Sequence, residues 1–250
     1  MFNFFANEEN KQNSHYIIDG TDYNHIKNVL RMEVGDTCLI SCAGKSDLCR
    51  IDAFIGESVS FEIIEEDYMD TELPVKIYLF QGLPKGDKME YIIQKCVELG
   101  VYGIVPVQMS HCVVKLDDKK AKSKQLRWQA ICESAAKQSK RNIIPEIHNV
   151  CSFNQSLEFA KTLDLILVPY ENKDGMSSTI EALEIFKDVK TAGIFIGPEG
   201  GFDKSEIEKA LQNDAKVISL GKRILRTETA AITAVGMCML KLEMSEGNKE

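Results

Sequence analysis

The chain changes its hydrophobic grammar once, near residue 70. Over the first seventy residues Val, Ile, Phe and Cys alternate with polar residues in four short runs, at 14–18, 38–41, 49–54 and 59–65. Such alternation marks strands with one buried face. Gly35-Asp36, Ala43-Gly44 and Gly56-Glu57 punctuate the runs as turns. One short helix fits 23–30, where Ile26, Val29 and Leu30 share a face. The pattern predicts a small β-barrel over 1–70. The acidic stretch EEDYMDTELP at 65–74 reads as a linker.

From Val75 the pattern alternates between buried strands and helices. Apolar runs at 75–80, 102–108, 164–169, 192–197 and 216–220 predict strands. Between them, 88–99 carries apolar residues at 89, 92, 93, 96 and 97, the helical period, and Gly100 ends it. A longer helix fits 119–140, with Trp128, Ile131, Cys132 and Ala135 on one stripe. The last helix, 228–244, is apolar nearly all round through Leu240, which predicts burial. The alternation predicts an α/β domain over 74–245 with a mainly parallel sheet covered on both faces. After GPEGG, Asp203 can cap a helix, Glu206 can close a capping box and Phe202 can staple onto Ile207. GPEGG therefore joins a strand end to a fixed helix start, the edge where open α/β sheets bind ligands.

Composition narrows the picture. Of 250 residues, 44% are apolar and 27% charged, which excludes a mainly disordered chain. The longest nearly unbroken apolar run, 230–240, is too short to span a bilayer, so no membrane partner is expected. Residues 1–10 lack the pattern of a signal or transit peptide, and the expected location is cytoplasmic. Eight cysteines include no C-x-x-C pair. Cys38, Cys42 and Cys49 lie close together, but no fourth ligand stands at zinc spacing. They are read as small buried hydrophobes, and no metal is expected.

The net charge of −8 hides a local excess. Residues 115–141 hold nine basic and three acidic side chains, so this stretch carries +6 and the remainder −14. A local stripe, not the average, sets an electrostatic footprint for a polyanion. A solvated helix face is the competing reading.

Three loops can carry chemistry. GIFIGPEGGF at 193–202 lacks the lysine of a triphosphate loop and places Glu199 at its tip, which suits a hydroxyl-bearing or cationic ligand. Its glycines permit close approach of backbone to a ligand. LGKRILRTETAA at 220–231 puts Arg223 and Arg226 before a helix N-terminus, where the dipole disfavours cations, so Arg226 is read as functional. Thr227, Glu228 and Thr229 can act there as caps. LPKGDKMEYIIQKCVELG at 83–100 sets Lys85 and Lys88 before another helix, as an anion contact or a solvated turn.

Together KGDKMEYIIQKCVELG, RWQAICESAAKQSKRNIIPEI, IGPEGGF and LGKRILRTETAA, with the earlier HIKNVLRMEVGD, resemble the bacterial 16S ribosomal RNA uridine-N3 methyltransferase family, the uridine 1498 class of the SPOUT superfamily. The resemblance covers nearly the whole chain. It implies a PUA-like small β-barrel that binds RNA, followed by a SPOUT α/β domain with a C-terminal trefoil knot. It implies S-adenosyl-L-methionine held by Leu167, Pro169, Ile196, Gly197, Glu199, Gly200, Gly201, Leu220, Gly221, Ile224, Leu225, Arg226, Thr229 and Ala230. Arg226 is the implied stabiliser of the uridine anion. The base is Glu228, Glu199 or water. The 16S rRNA, or the small ribosomal subunit, would be met by Arg31, Lys85, Lys122, Lys124, Arg127, Lys137 and Arg141. A homodimer is implied. The family pattern M-x-R-F-F stands here as Met1-Phe2-Asn3-Phe4-Phe5, and Lys11 or Arg31 are nearby cations able to take the place of the absent one. The rival functions are a SPOUT enzyme acting on another rRNA or tRNA nucleotide, and an rRNA-binding protein without catalysis.

Overall fold

The computed structural model describes residues 1–170 and 175–246. The chain divides into two compact units, Met1–Glu72 with Ala136–Ile144, and Leu73–Ala135 with Pro145–Glu250.

In the first unit β1 (Asn3–Phe5), β2 (Lys11–Gln12), β3 (His15–Ile18), β4 (Thr37–Cys42), β5 (Lys45–Ile55) and β6 (Ser58–Glu65) form one sheet in the order β1-β4-β5-β6-β3-β2. Only β1 and β4 run parallel. β1 and β2 are too short for alternation to reveal. The predicted helix at 23–30 is instead the short α1 (Gly20–Asn24) followed by a π turn at His25–Val29. Strand alternation places Cys38, Ile40 and Cys42 of β4, and Val59 and Phe61 of β6, in one core with Phe4, Tyr16, Ile26, Cys49 and Ile51. The three clustered cysteines are therefore packing residues. Burial holds the Cys49 thiol up at about 12.

The stretch read as a linker is bonded into this unit. Asp47 is buried and accepts from the Asp67 amide at 3.0 Å, the Tyr16 hydroxyl at 2.8 Å and Lys11 Nζ at 3.2 Å. Glu72 takes Arg141 in a two-point contact, Nε to Oε1 at 2.8 Å and Nη2 to Oε2 at 2.5 Å, and accepts the Asn142 amide at 2.9 Å. The Arg141 carbonyl in turn accepts from Asn3 Nδ2 at 3.0 Å and Ser41 Oγ at 3.2 Å. These bonds explain why Ala136–Ile144 belongs to the first unit, although the hydrophobic pattern assigns it to the second.

The second unit contains β7 (Lys76–Gly82), α2 (Lys88–Glu98), β8 (Gly103–Gln108), α3 (Asp118–Ser139, shared with the first unit), β9 (Glu146–Ile147), β10 (Cys151–Ser152), α4 (Phe153–Ala160), β11 (Leu165–Pro169), α5 (Ser177–Phe186), β12 (Thr191–Ile196), α6 (Lys204–Leu211), β13 (Lys216–Ile218) and α7 (Thr227–Glu246). Its strands pair in parallel in the order β10-β8-β7-β12-β11-β13, with β9 on β8. The apolar runs fit such a sheet, since strands covered on both faces need no polar alternation. From β7 the chain first builds outward through β8 and β10, then returns on the other side through β11, β12 and β13. The strand order thus reverses between β7 and β12, which opens a crevice at their carboxyl ends.

Helix α7 departs from its predicted all-round burial. Ala231, Ala234, Val235, Cys238 and Leu242 are buried, while Leu240 and Met244 are exposed. No helix of the described residues is long and apolar enough to cross a membrane.

Candidate active site

The three loops singled out in the sequence meet at the β7–β12 crevice. Two adjoining cavities lie there, of about 610 Å³ and about 470 Å³. Both volumes suit a small organic ligand. They share Pro169, Tyr170, Ile224, Leu225 and Ala230 as a common wall. The larger is bounded by Lys88, by Ile196–Phe202 after β12, and by Arg226 and Thr227 before and at the start of α7. The smaller is bounded by 219–223 after β13. Ile224 stands 92% exposed on the dividing loop.

The loop after β12 is fixed from both sides. Asp203 Oδ1 caps α6 through the Ser205 amide at 2.9 Å, and Glu206 Oε2 accepts the Asp203 amide at 2.9 Å. The box legible in the sequence is therefore present. Glu206 is buried because its other oxygen accepts from Ser110 N–H at 2.8 Å and Ser110 Oγ at 3.0 Å. On the other side Thr227 Oγ1 donates to the Gly197 carbonyl at 2.7 Å and accepts from buried Gln81 Nε2 at 2.9 Å. The start of α7 is thereby tied to GPEGG and to the end of β7.

Charge is arranged around Lys88. Its ammonium donates to Glu199 Oε1 at 2.8 Å and lies 3.7 Å from Glu228 Oε2. Glu199 also accepts the Lys85 amide at 3.1 Å. Partial burial pushes the Glu199 carboxyl up, but the Lys88 hydrogen bond and the loop amides outweigh it and hold the group below the usual carboxylate range. Glu199 is thus ionised at neutral pH. Its contribution to stability is present above the ordinary carboxylate value and is lost as pH falls through the depressed one. Glu228 Oε2 is buried and has no hydrogen-bond donor among the described residues.

The two loop glycines act for different reasons than ligand approach alone. A Cβ on Gly200 would lie 2.8 Å from His111 Cβ, and the His111 ring bonds the Gly200 carbonyl at 2.9 Å. At Gly201 there is open space, but φ is +69°. Gly200→Val is therefore expected to displace the loop, lowering both the melting temperature and ligand affinity. Gly201→Ala is expected to cost only about 1–2 kcal/mol, the left-handed backbone penalty. Thermal unfolding with calorimetry of both variants checks this. A Gly200→Val protein with native melting and native affinity contradicts it.

Most residues predicted for the cofactor line the cavities: Pro169, Ile196, Gly197, Glu199, Gly200, Gly201, Leu220, Gly221, Ile224, Leu225, Arg226 and Ala230. Two do not. Leu167 is wholly buried inside β11, two residues before the strand reaches the crevice. Thr229 is exposed on α7 and lines neither cavity.

The predicted RNA contacts also divide. Arg31, Lys85 and Lys122 are exposed. Arg127 is exposed but bonded to Glu90 Oε2 at 2.8 Å, with Lys124 4.0 Å from the same carboxylate. Lys137 pairs with Asp22 at 2.9 Å. Arg141 must be withdrawn as a phosphate contact, because its side chain is 3% exposed and spent on Glu72. Asn3 is buried, and Lys11 is held by Asp47 and Glu66. Neither offers a free cation to a ligand. Among the described residues no group of three or more His, Cys, Asp or Glu side chains is placed to hold a metal ion.

Residues the sequence did not assign to the site are Gln81, Lys88, His111, Tyr170, Phe202 and Thr227. Lys88 and Thr227 stood in motifs already noted. Tyr170 follows a strand end that was marked. Gln81 and His111 carry no local signal, since each reaches the site only through the fold.

The RNA methyltransferase domain model matches residues 71–239, and the RNA methyltransferase PUA domain model matches 18–50. The chain is 40% identical over 240 residues to the ribosomal RNA small subunit methyltransferase E of Bacillus subtilis, covering 94% of this chain and 93% of that one. It is 35% identical over 242 residues to the protein of that name from Mesomycoplasma hyopneumoniae, covering 96% and 99%. A crystal structure of a ribosomal RNA small subunit methyltransferase E from Neisseria gonorrhoeae bound to S-adenosyl methionine matches with a TM-score of 0.79 at 30% identity, covering 95% and 96%. By the matched domain, the identity and the near-complete coverage, the chain belongs to the ribosomal RNA small subunit methyltransferase E family.

Proposed function

We propose that this chain is an S-adenosyl-L-methionine-dependent methyltransferase that modifies N3 of uridine 1498 in the 16S rRNA of the small ribosomal subunit. The observation that carries the reading is the convergence of GPEGG and RILRTET on two adjoining cavities at the switch point of a parallel sheet. A protein that only gripped RNA has no need of such a pocket. We read 1–70 as the PUA-like barrel and 74–245 as the knotted SPOUT domain, in a cytoplasmic homodimer.

The residues fit the cofactor. Pro169, Leu220, Leu225 and Ala230 offer apolar walls to an adenine, and ionised Glu199 offers an acceptor to ribose hydroxyls or a counter-charge to a sulfonium. When bound, S-adenosyl-L-methionine supplies an electrophilic methyl group. N3 of neutral uridine must lose its proton to attack well. Of the two candidate carboxylates, Glu199 is already engaged by two donors, whereas Glu228 Oε2 has none among the described residues, so Glu228 is the proposed base. Glu228 takes the N3 proton as the new carbon–nitrogen bond forms and the carbon–sulfur bond breaks, its electron pair staying on sulfur. Arg226 lines the larger cavity and stabilises the charge that spreads onto the flanking carbonyl oxygens.

Exposed Lys122 with Lys124 and Arg127 supplies phosphate contacts. Replacing the three by Ala is expected to weaken RNA binding and flatten its salt dependence by roughly 0.7–0.9 in log–log slope per lost contact. Cofactor affinity should not change. An unchanged slope makes this a solvated helix face. The function itself is tested in cells lacking the gene: uridine 1498 loses its N3 methyl group, and the loss of a different rRNA or tRNA methyl instead favours the rival SPOUT activity.

A further inference from the structure

We propose that Lys88 is a second catalytic cation of this site, acting with Arg226 on the negative charge that deprotonation of N3 leaves on the target base. The inference rests on the reaction proposed above.

Lys88 is the first residue of α2, and Arg226 immediately precedes α7. Both line the larger cavity. Each stands at the positive end of a helix dipole, where an acid would favour stability and a cation opposes it. Two cations so placed share one wall of the cavity, where the proposed reaction forms an anion.

A purely structural salt bridge to Glu199 does not account for Lys88. An ammonium has three donors. Among the described residues, one is taken by Glu199 at 2.8 Å, and Glu228 Oε2 at 3.7 Å lies beyond hydrogen-bond reach. Lys88 therefore faces the cavity with donors to direct at a ligand, held in place by one carboxylate and watched by another. The Glu199 hydrogen bond, joined by the charges of Glu199 and Glu228, raises the Lys88 ammonium above its ordinary value against burial and Arg226. It is a donor and a charge, not a base.

The charge balance follows the reaction. Before transfer, Lys88 stands beside two carboxylates, Glu199 and Glu228. When the N3 proton passes to Glu228, that carboxylate becomes neutral and Lys88 loses one of its two counter-charges. The same step places a negative charge on the base, at its two carbonyl oxygens. Lys88 can then exchange its weakened attraction to Glu228 for a charge-assisted hydrogen bond to the base. Stabilisation appears as the charge develops, which is what lowers a barrier.

The test is single-turnover methyl transfer across pH, with S-adenosyl-L-methionine and RNA both saturating, for wild type, Lys88→Met and Lys88→Arg. Lys88→Met is expected to slow transfer by about 10²-fold. Its rate should also rise at higher pH, by about 1–3 pH units, because a nearby cation no longer favours the deprotonated base. Lys88→Arg keeps the charge and should restore most of the rate and the wild-type profile. If Lys88→Met does not fold, Lys88→Gln, which keeps a donor for Glu199, reads the same two quantities. Wild-type methylation of N3 with an unaltered rate and profile in the neutral variant overturns the Lys88 assignment alone, including when cofactor affinity falls. A wild-type product methylated elsewhere overturns the reaction, and this inference with it.

Discussion

Arg226→Ala is expected to slow single-turnover methyl transfer by about 10²–10³-fold while the protein folds and still binds cofactor and RNA. That range is the usual loss when one electrostatic contact to a developing anion is removed. Arg226 lines the larger cavity just before the first turn of α7, and Thr227 beside it anchors that turn to the Gly197 carbonyl. The anchor does not depend on the guanidinium, so truncation should leave the loop in place. The effect should fall on kcat more than on KM, because the charge being stabilised exists only as N3 loses its proton. Lysine should rescue only partly, since a point charge cannot reproduce a planar two-point contact. An Arg226→Ala enzyme with its single-turnover rate intact and only RNA affinity reduced would make Arg226 a phosphate anchor.

Arg141→Ala is expected to destabilise the first unit by about 3 kcal/mol. Removing one partner of a buried ion pair leaves the other uncompensated, at about 3–5 kcal/mol, and Glu72 is 20% exposed, which places the cost at the low end. For a unit of this size the loss lowers the melting temperature by more than about 10 °C. Glu72→Gln should fall part way, since it keeps an acceptor but no charge. Thermal unfolding of the three proteins decides the matter. Native melting in Arg141→Ala, combined with lost RNA affinity and a flatter salt slope, would restore Arg141 to the RNA-contacting set.

These two arginines show what the sequence makes legible. Arg226 stood out because a local rule, the helix dipole, was broken by a residue next to a helix start. The Asp203–Glu206 capping box was legible for the same reason: its partners are three residues apart. The strands of the parallel sheet were legible because burial on both faces leaves continuous apolar runs. Arg141 was misread because a count of basic residues along the chain does not see the acids that the fold brings to them. Glu72, Asp22 and Glu90 pair with Arg141, Lys137 and Arg127 from 69, 115 and 37 residues away, and of the three only Arg127 stays exposed. The site itself has the same limit. Lys88 meets Glu199 across 111 residues and Gln81 meets Thr227 across 146, pairings set by strand order and not by any local pattern. Leu167 was drawn into the predicted site by its neighbours, yet it lies within β11 with its side chain in the core.

The proposed chemistry is methyl transfer in this pocket to N3 of one uridine. The most direct measurement incubates the purified protein with methyl-labelled S-adenosyl-L-methionine and small ribosomal subunits or 16S rRNA from cells lacking the gene, then maps the label by nuclease digestion and mass spectrometry. The account predicts one labelled nucleotide, N3-methyluridine at position 1498, with the label sharply reduced for Arg226→Ala over the same time. Label on another nucleotide, or cofactor binding with no transfer to either form of the RNA, would contradict it.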